Sequence, residues 1–282
     1  MAIFLVIVSQ ASFAALSGLV KAASNAGLSS QEILFFQSLF AMAIHIPWIL
    51  KDGLRVFAPK NKVLIASRSL CGVLFLYLFY MSVRLVPLVN AVLLQNTAPL
   101  FIPIMMFIIF RKKMTIEVLL VMLAGFIGVV LVLNPGRGFL RPGDIFALSA
   151  GLVSALGTIL LGLLEKRGEN SQTIMLYYLA ILSVVAGTFS IRGWITPRGI
   201  VWFYLSGAGF FYGAYMFLLM ASLKRASPVL IAPFIYLGVV FSGVVDWVVW
   251  KQYPDPMTIA GTSVIIAAAI ISAVHKRHKI PG

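Results

Sequence analysis

Asp246 is the one acidic residue in the apolar stretch between Arg225 and Lys251, RASPVLIAPFIYLGVVFSGVVDWVVWK. In hydrocarbon an ionised carboxylate costs about 2.5–3.5 kcal/mol, so it should face a protein interior or a wet cavity and have a partner. Three kinds of chemistry are open to it: binding a substrate ammonium, exchanging a proton, or pairing with a basic group that moves during a working cycle. Its closeness to Lys251 equally allows an interfacial anchor, because the cost of an intramembrane charge falls toward the bilayer surface.

Other polar side chains gather at helical spacing. Asn90, Gln95, Asn96 and Thr97 share one apolar stretch with Pro87, Pro99 and Pro103. Without water each needs a partner. Asn90 and Thr97 are spaced to share a helical face, whereas Gln95 and Asn96 lie partly round the helix; one face lining a cavity and another holding neighbouring helices would satisfy both sets, and at least one of these residues is expected to line a cavity. Tyr236, Gly243 and Asp246 would align a phenol, a gap and a carboxylate on one stripe, behind prolines that free backbone carbonyls. Tyr80, Tyr212 and Trp247 add aromatic faces, and Gln10 shares a face with Ser17. A cavity of aromatic rings and one acid suits an organic cation or an aromatic zwitterion. The expected substrate-binding set is therefore Asp246, Tyr236, Asn90, Gln95, Asn96, Thr97, Gln10, Tyr80, Tyr212 and Trp247. Trp48, Trp194, Trp202 and Tyr204 read instead as an interfacial belt, and Gly209 with Gly213 as a helix-packing motif. His45 is alone in its stretch and Cys71 is the single cysteine, so no metal site, disulfide framework or cofactor is expected.

These residues lie on segments that must be membrane helices. The chain has 282 residues, is 61% hydrophobic and 11% charged, and has a mean hydropathy of +1.03. A span needs roughly 20 apolar residues to cross about 30 Å of hydrocarbon. Ten gaps between charges qualify: 2–20, 33–50, 69–83, 85–110, 118–136, 145–164, 170–191, 199–223, 226–245 and 256–274. The third is short, so its helix should begin near Val63, with Arg68 and Arg84 snorkelling to the headgroups. The N-terminal run lacks a basic n-region and a small-residue cleavage pattern, and reads as the first span.

The net charge of +14 suggests nucleic acid in a soluble protein, but here the basic residues sit in short loops. Connections after even-numbered helices, with the tail, hold fifteen of the 22 Lys and Arg, from Lys51 to Lys279. The other side holds Lys21, Arg84, Arg137, Arg141, Arg192, Arg198 and Lys251. The positive-inside rule then puts both termini in the cytoplasm. The basic excess reads as topology and contact with anionic lipid, with no nucleic-acid partner.

An internal repeat sets the architecture. At an offset of 140, Ser82 falls on Ser222, Arg84 on Lys224, Val89 on Val229, Phe101 on Phe241 and Phe110-Arg111 on Trp250-Lys251. After a three-residue insertion, Met114-Thr115-Ile116 meets Met257-Thr258-Ile259. Five spans per half is an odd number, so the second copy must enter the membrane inverted, with a site between the halves near the midplane and alternating access by rocking. The expected fold is an all-α membrane protein of ten transmembrane helices in two inverted five-helix repeats, residues 1–138 and 139–282.

Several features carry a family likeness: Arg68 with Gly72 opening the third helix, Pro87, Ala91 and Pro99 in the fourth, Asn134-Pro135 closing the fifth, and Ala226-Ser227-Pro228 with Ala232-Pro233 and Tyr236 leading the ninth. In these the chain resembles the drug/metabolite transporter superfamily, in its ten-helix branch with two EamA-type domains. The resemblance implies a plasma-membrane transporter of small organic metabolites. One departure is plain. Relatives often carry a glycine-glutamate pair in the turn after the fourth and ninth helices, where this chain has Arg111-Lys112 and Lys251-Gln252.

The expected function is a secondary or facilitative carrier of a small organic metabolite, such as an amino acid, amine or nucleoside-like solute. A channel or lipid-handling protein is the alternative. The chain lacks a GxxxxGK[ST] loop for ATP, and its single buried acid and histidine do not supply the paired groups of an intramembrane enzyme.

Overall fold

The computed structural model describes residues 1–53, 58–111, 120, 123–124, 127–128, 130–131, 141–223, 225, 234–264 and 266–267. The described elements are helical: α1 (Ala2–Asn25), α2 (Ser30–Asp52), α3 (Lys62–Leu85), α4 (Leu88–Gln95), α5 (Ala98–Phe110), α6 (Pro142–Lys166), α7 (Ser171–Ser190), α8 (Val201–Leu223), α9 (Leu237–Trp250) and α10 (256–264), with a 3-10 turn at Ile191–Gly193. Six runs are long and apolar enough to cross a membrane, taking α4 and α5 together, and the apolar parts of α2 and α9 are shorter. Of the expected fifth span only residues 120, 123–124, 127–128 and 130–131 are described, all helical. The expected motifs at Asn134-Pro135, Ala226-Ser227-Pro228 and Ala232-Pro233 lie outside the described residues, as does the His45 side chain.

Large apolar side chains face outward along these helices, among them Phe189, Phe203, Phe210, Ile108 and Val184. In lipid such exposure carries no hydrophobic cost, while each helix satisfies its own backbone. The interior is held by close approach at small residues. Gly209 and Gly213 of α8 meet Phe40 and Ile44 of α2, Gly207 meets Leu19 of α1, and Gly187 of α7 meets Phe35 of α2.

Helix packing is reciprocal between the two halves of the chain. α1 runs along α8 as α6 runs along α3; α2 packs on α8 as α7 packs on α3; α1 touches α9 as α6 touches α4 and α5. The pairs α2–α7 and α4–α9 close the set, with the Ser38 and Ser183 hydroxyls 2.7 Å apart across the first of them.

The loops repeat the exchange. Ser29 and Glu32 form a capping box at the start of α2: Glu32 N–H donates to Ser29 Oγ (3.2 Å) and Ser29 N–H to Glu32 Oε2 (2.8 Å). The other oxygen of Glu32 accepts the N–H of Ile195, on the approach to α8. Glu169, in the connection between α6 and α7, accepts the N–H groups of Lys60 and Asn61 (each at 3.1 Å to Oε2) on the approach to α3. Each half thus lends a carboxylate to the segment leading into the third helix of the other.

Helix ends correspond as well. α5 stops at Arg111 (φ 51, ψ 27) and α9 at Lys251 (φ 55, ψ 28), both left-handed C-caps bearing a side chain. Glycine adopts this conformation without penalty, whereas a Cβ there costs about 1 kcal/mol.

Two expectations need correction. The fourth span is not one continuous helix: α4 ends at Gln95, a turn passes through Asn96 and Thr97, and α5 begins at Ala98. Pro99 at the start of α5 has no N–H to continue the ladder. Asn90 and Thr97 therefore lie on opposite sides of a break and do not share a face. Arg68 does not snorkel. Its Nη1 lies 2.9 Å from where a Cβ on Gly72 would stand, a turn further along α3, while Arg84 is exposed.

Candidate functional site

Near the C-terminal ends of α1 and α9, charges from the two halves meet. Asp246 is 1% exposed, and its Oδ1 lies 2.7 Å from Lys21 Nζ. Its Oδ2 accepts the N–H of Val89 at 2.9 Å, in the first turn of α4. Pro87 precedes α4 as its N-cap and has no side-chain hydrogen bond to offer, so the carboxylate supplies a missing acceptor at a helix N-terminus. Lys21 also donates to Gln252 Oε1 (3.3 Å) and lies 4.4 Å from the centre of the Trp250 ring. Gly18 makes room for this approach, since a Cβ there would meet Val245 Cγ1 at 2.9 Å. Beside the ion pair, Asn90 Oδ1 accepts from Thr258 Oγ1 at 3.4 Å.

A second group fills the centre. Tyr80 of α3, fully buried, donates its hydroxyl to Gln37 of α2. Tyr212 of α8 donates to the Tyr178 hydroxyl of α7 at 3.0 Å. Phe13 of α1 stacks on Phe79 (5.7 Å between centroids) and meets Tyr215 (5.0 Å), which lies 6.5 Å from Tyr212. Gln10, 2% exposed, lies one turn from Phe13, with its carbonyl oxygen 2.7 Å from where a Gly238 Cβ would be. Tyr236, the residue preceding α9, is buried.

The expected substrate-binding residues therefore fall into separate places. Tyr80, Tyr212 and Gln10 border the aromatic centre, and Asp246 and Asn90 belong to the charged end. Gln95, Asn96 and Thr97 form the α4–α5 break. There Thr97 Oγ1 donates to Leu94 O (2.6 Å), and the break packs on Gly151 of α6, where a Cβ would stand 3.1 Å from Leu94 O and 3.2 Å from Gln95 O. Trp247 points outward, half exposed, with its ring 6.1 Å from Tyr253. A hollow of about 1050 Å³ lies between α1, α2, α8 and α9, lined by apolar groups including Gly18, Ala22, Phe40, Gly207 and Phe210. It contains none of the expected binding residues and opens among outward-facing phenylalanines.

Several participants escaped sequence reasoning. Lys21 was counted as a loop cation, although its position one turn from the end of α1 and four residues before Asn25 is where an inward-turning lysine can stand. Tyr178 gave a detectable signal, a tyrosine in the middle of an apolar helix. The Val89 N–H had none, since a backbone donor appears only when a helix starts there.

The model of the EamA-like transporter family matches twice, over residues 1–134 and 141–274. The pseudopaline exporter CntI of Pseudomonas aeruginosa is 23% identical over 273 residues, 95% of this chain and 94% of that protein. The S-adenosylmethionine uptake transporter of Rickettsia prowazekii is 24% identical over 249 residues (86% and 82%). The riboflavin transporter of Brucella anthropi is 23% identical over 255 residues (88% and 89%). A solved structure, described as the crystal structure of a protein, superposes with a TM-score of 0.68 at 16% identity over 99% of this chain and 98% of that one, a likeness of fold.

Proposed function

The chain belongs to the EamA-like transporter family, and from that premise we propose a secondary or facilitative carrier that moves a small organic metabolite by alternating access. Family membership makes it an integral membrane transporter of small molecules and not an enzyme. The finer reading is ours: ten spans in two inverted five-helix repeats, divided near residues 138 and 139, with both termini cytoplasmic and the basic inner face against anionic lipid. The reciprocal helix pairs and the exchanged carboxylates Glu32 and Glu169 support the inversion.

The observation that carries the mechanism is the ion pair between Lys21 and Asp246. Lys21 and Val89 come from the first half, Asp246 and Gln252 from the second. We assign these contacts to a latch that holds the outer end of the pathway shut while the inner end exchanges solute. Of the three roles open to Asp246, this is the pairing with a basic group that moves. Solute would lie in the aromatic centre bordered by Gln10, Tyr80, Tyr212 and Tyr236. Amino acids, amines and nucleosides are the first solutes to test, with S-adenosylmethionine and riboflavin because relatives carry those names. A channel needs no latch between halves, which favours the carrier.

The test is counterflow of a labelled solute, found by thermal stabilisation, in proteoliposomes. A Gly18→Cys/Val245→Cys pair in a Cys71→Ser background brings two thiols within disulfide reach beside the latch. Oxidation should stop counterflow and reduction restore it. Undiminished exchange in fully cross-linked protein would sink alternating access at this end, and conduction without accelerated exchange would make the chain a channel.

A further inference from the structure

Arg68 stands inside the apolar helix α3 and is half-buried. A side chain escaping to the near headgroups would lean back toward Lys62, following the tilt of helical side chains toward the N-terminus. Instead its Nη1 reaches forward to Gly72, and a Cβ on Gly157 of α6 would lie 3.7 Å from that same nitrogen. The guanidinium carbon is 5.8 Å from the centre of the Tyr178 ring of α7. The head therefore occupies the space between α3, α6 and α7, opened by two glycines.

No acid answers it. Among the described residues Arg68 makes no ion pair and no hydrogen bond, and its buried Nε has no acceptor. The hydroxyl of Ser69, the next residue, is a second buried group without a partner. A charged donor without an acceptor in the membrane interior is costly to keep. It is retained at least cost where an acceptor arrives with a ligand. A guanidinium is planar and always charged, and its fork matches carboxylate and phosphate oxygens bidentately. Tyr178 in turn connects through its hydroxyl to Tyr212 and the aromatic centre.

We propose that Arg68 is an anion-binding group that takes the carboxylate or phosphate of the transported solute. This rests on the carrier reading and narrows it to solutes bearing an oxyanion. An ammonium-bearing solute fits only if it is a zwitterion.

The test reads binding, not transport. The full chain, in a neutral detergent without added lipid, is heated with benzoate, inorganic phosphate or adenosine monophosphate, against sodium chloride of equal ionic strength. Soluble dihexanoyl phosphatidylglycerol serves as the headgroup arm. At least one of the three free anions should raise the melting temperature of the native chain and of Arg84→Gln by a few degrees, by mass action on the folded state. The rise should vanish in Arg68→Gln. Arg68→Lys keeps the charge and loses the fork, so its apparent affinity should fall at least about tenfold. Equal shifts in native and Arg68→Gln protein, no shift with any free anion, or a response to phosphatidylglycerol alone would each overturn the proposal. If Arg68→Gln does not fold, unchanged affinity in Arg68→Lys overturns it. Anion binding without counterflow would sink the carrier reading and leave this site standing; counterflow indifferent to Arg68 would do the reverse.

Discussion

Lys21 and Arg68 both place a cation inside an apolar helix, and the protein treats them oppositely. Lys21 has a carboxylate at 2.7 Å, an amide oxygen at 3.3 Å and an aromatic face at 4.4 Å. Among the described residues Arg68 has the Tyr178 ring over its guanidinium and two glycines that keep space open. The Lys21–Asp246 pair ties together α1, α9 and, through the Val89 N–H, α4, from both halves of the chain, whereas Arg68 stands in the space between α3, α6 and α7. In a low-dielectric interior a fully partnered charge fixes one arrangement, whereas an unpartnered one leaves a preference to be filled. The first suits a latch and the second a binding group.

The sharpest way to break the contrast is to make Lys21 resemble Arg68. Asp246→Asn leaves a buried ammonium without its counterion, a change that costs about 3–5 kcal/mol where such pairs are buried. The expected result is a large fall in thermal stability of the closed form and loss of counterflow. The exchange Lys21→Asp/Asp246→Lys should not restore either. It would set an ammonium where Val89 N–H now donates, against the positive end of α4. Melting temperature and counterflow of the exchanged protein decide this: full recovery would reduce the latch to a simple charge pair and remove the helix N-terminus from the argument.

The converse change gives Arg68 what Lys21 has. Gly157→Asp puts a carboxylate beside the guanidinium, because the Gly157 Cβ position lies 3.7 Å from Arg68 Nη1. Folding should survive, with stability within about 1 kcal/mol of the native chain, since new charge attraction and desolvation oppose each other. The melting response to benzoate and phosphate should disappear. A variant that folds and still responds to both anions would detach the anion effect from Arg68.

The same pair shows what the sequence could and could not disclose. Helical content and most span limits follow from the spacing of charges, as α7 (Ser171–Ser190) against the expected 170–191 illustrates. Charge spacing marks every charge as a span end, and so cannot separate Lys21 or Arg68, which turn inward, from a cation in a loop or at the headgroups. Asp246 stood out because an acid inside an apolar stretch is expensive unless it lies near the bilayer surface or has a partner. Its partner is 225 residues away in the chain, and no local pattern encodes so distant a contact. The break after Gln95 had a visible signal in Pro99. Its consequence did not: the Gln95 carbonyl that Pro99 leaves without a donor, the Leu94 carbonyl and the Thr97 hydroxyl all come against Gly151 of α6. The capping box at Ser29 and Glu32 was readable from spacing, but the capture of Ile195 by the same carboxylate was not.

The mildest test separates the aromatic share of the latch from its charge. The Lys21 ammonium lies over the Trp250 ring, and Arg68 over Tyr178 is the same interaction without a carboxylate. Trp250→Phe keeps a ring of weaker quadrupole at a site where indole is the best partner, so it should weaken the latch by only on the order of 0.5 kcal/mol. Counterflow should persist with a small change in rate, and the melting temperature should move far less than in Asp246→Asn. If the two variants instead lose comparable stability, the ring and not the carboxylate would be the main partner of Lys21. The two cations would then differ in packing and not in charge compensation, and the unpartnered state of Arg68 would no longer distinguish it.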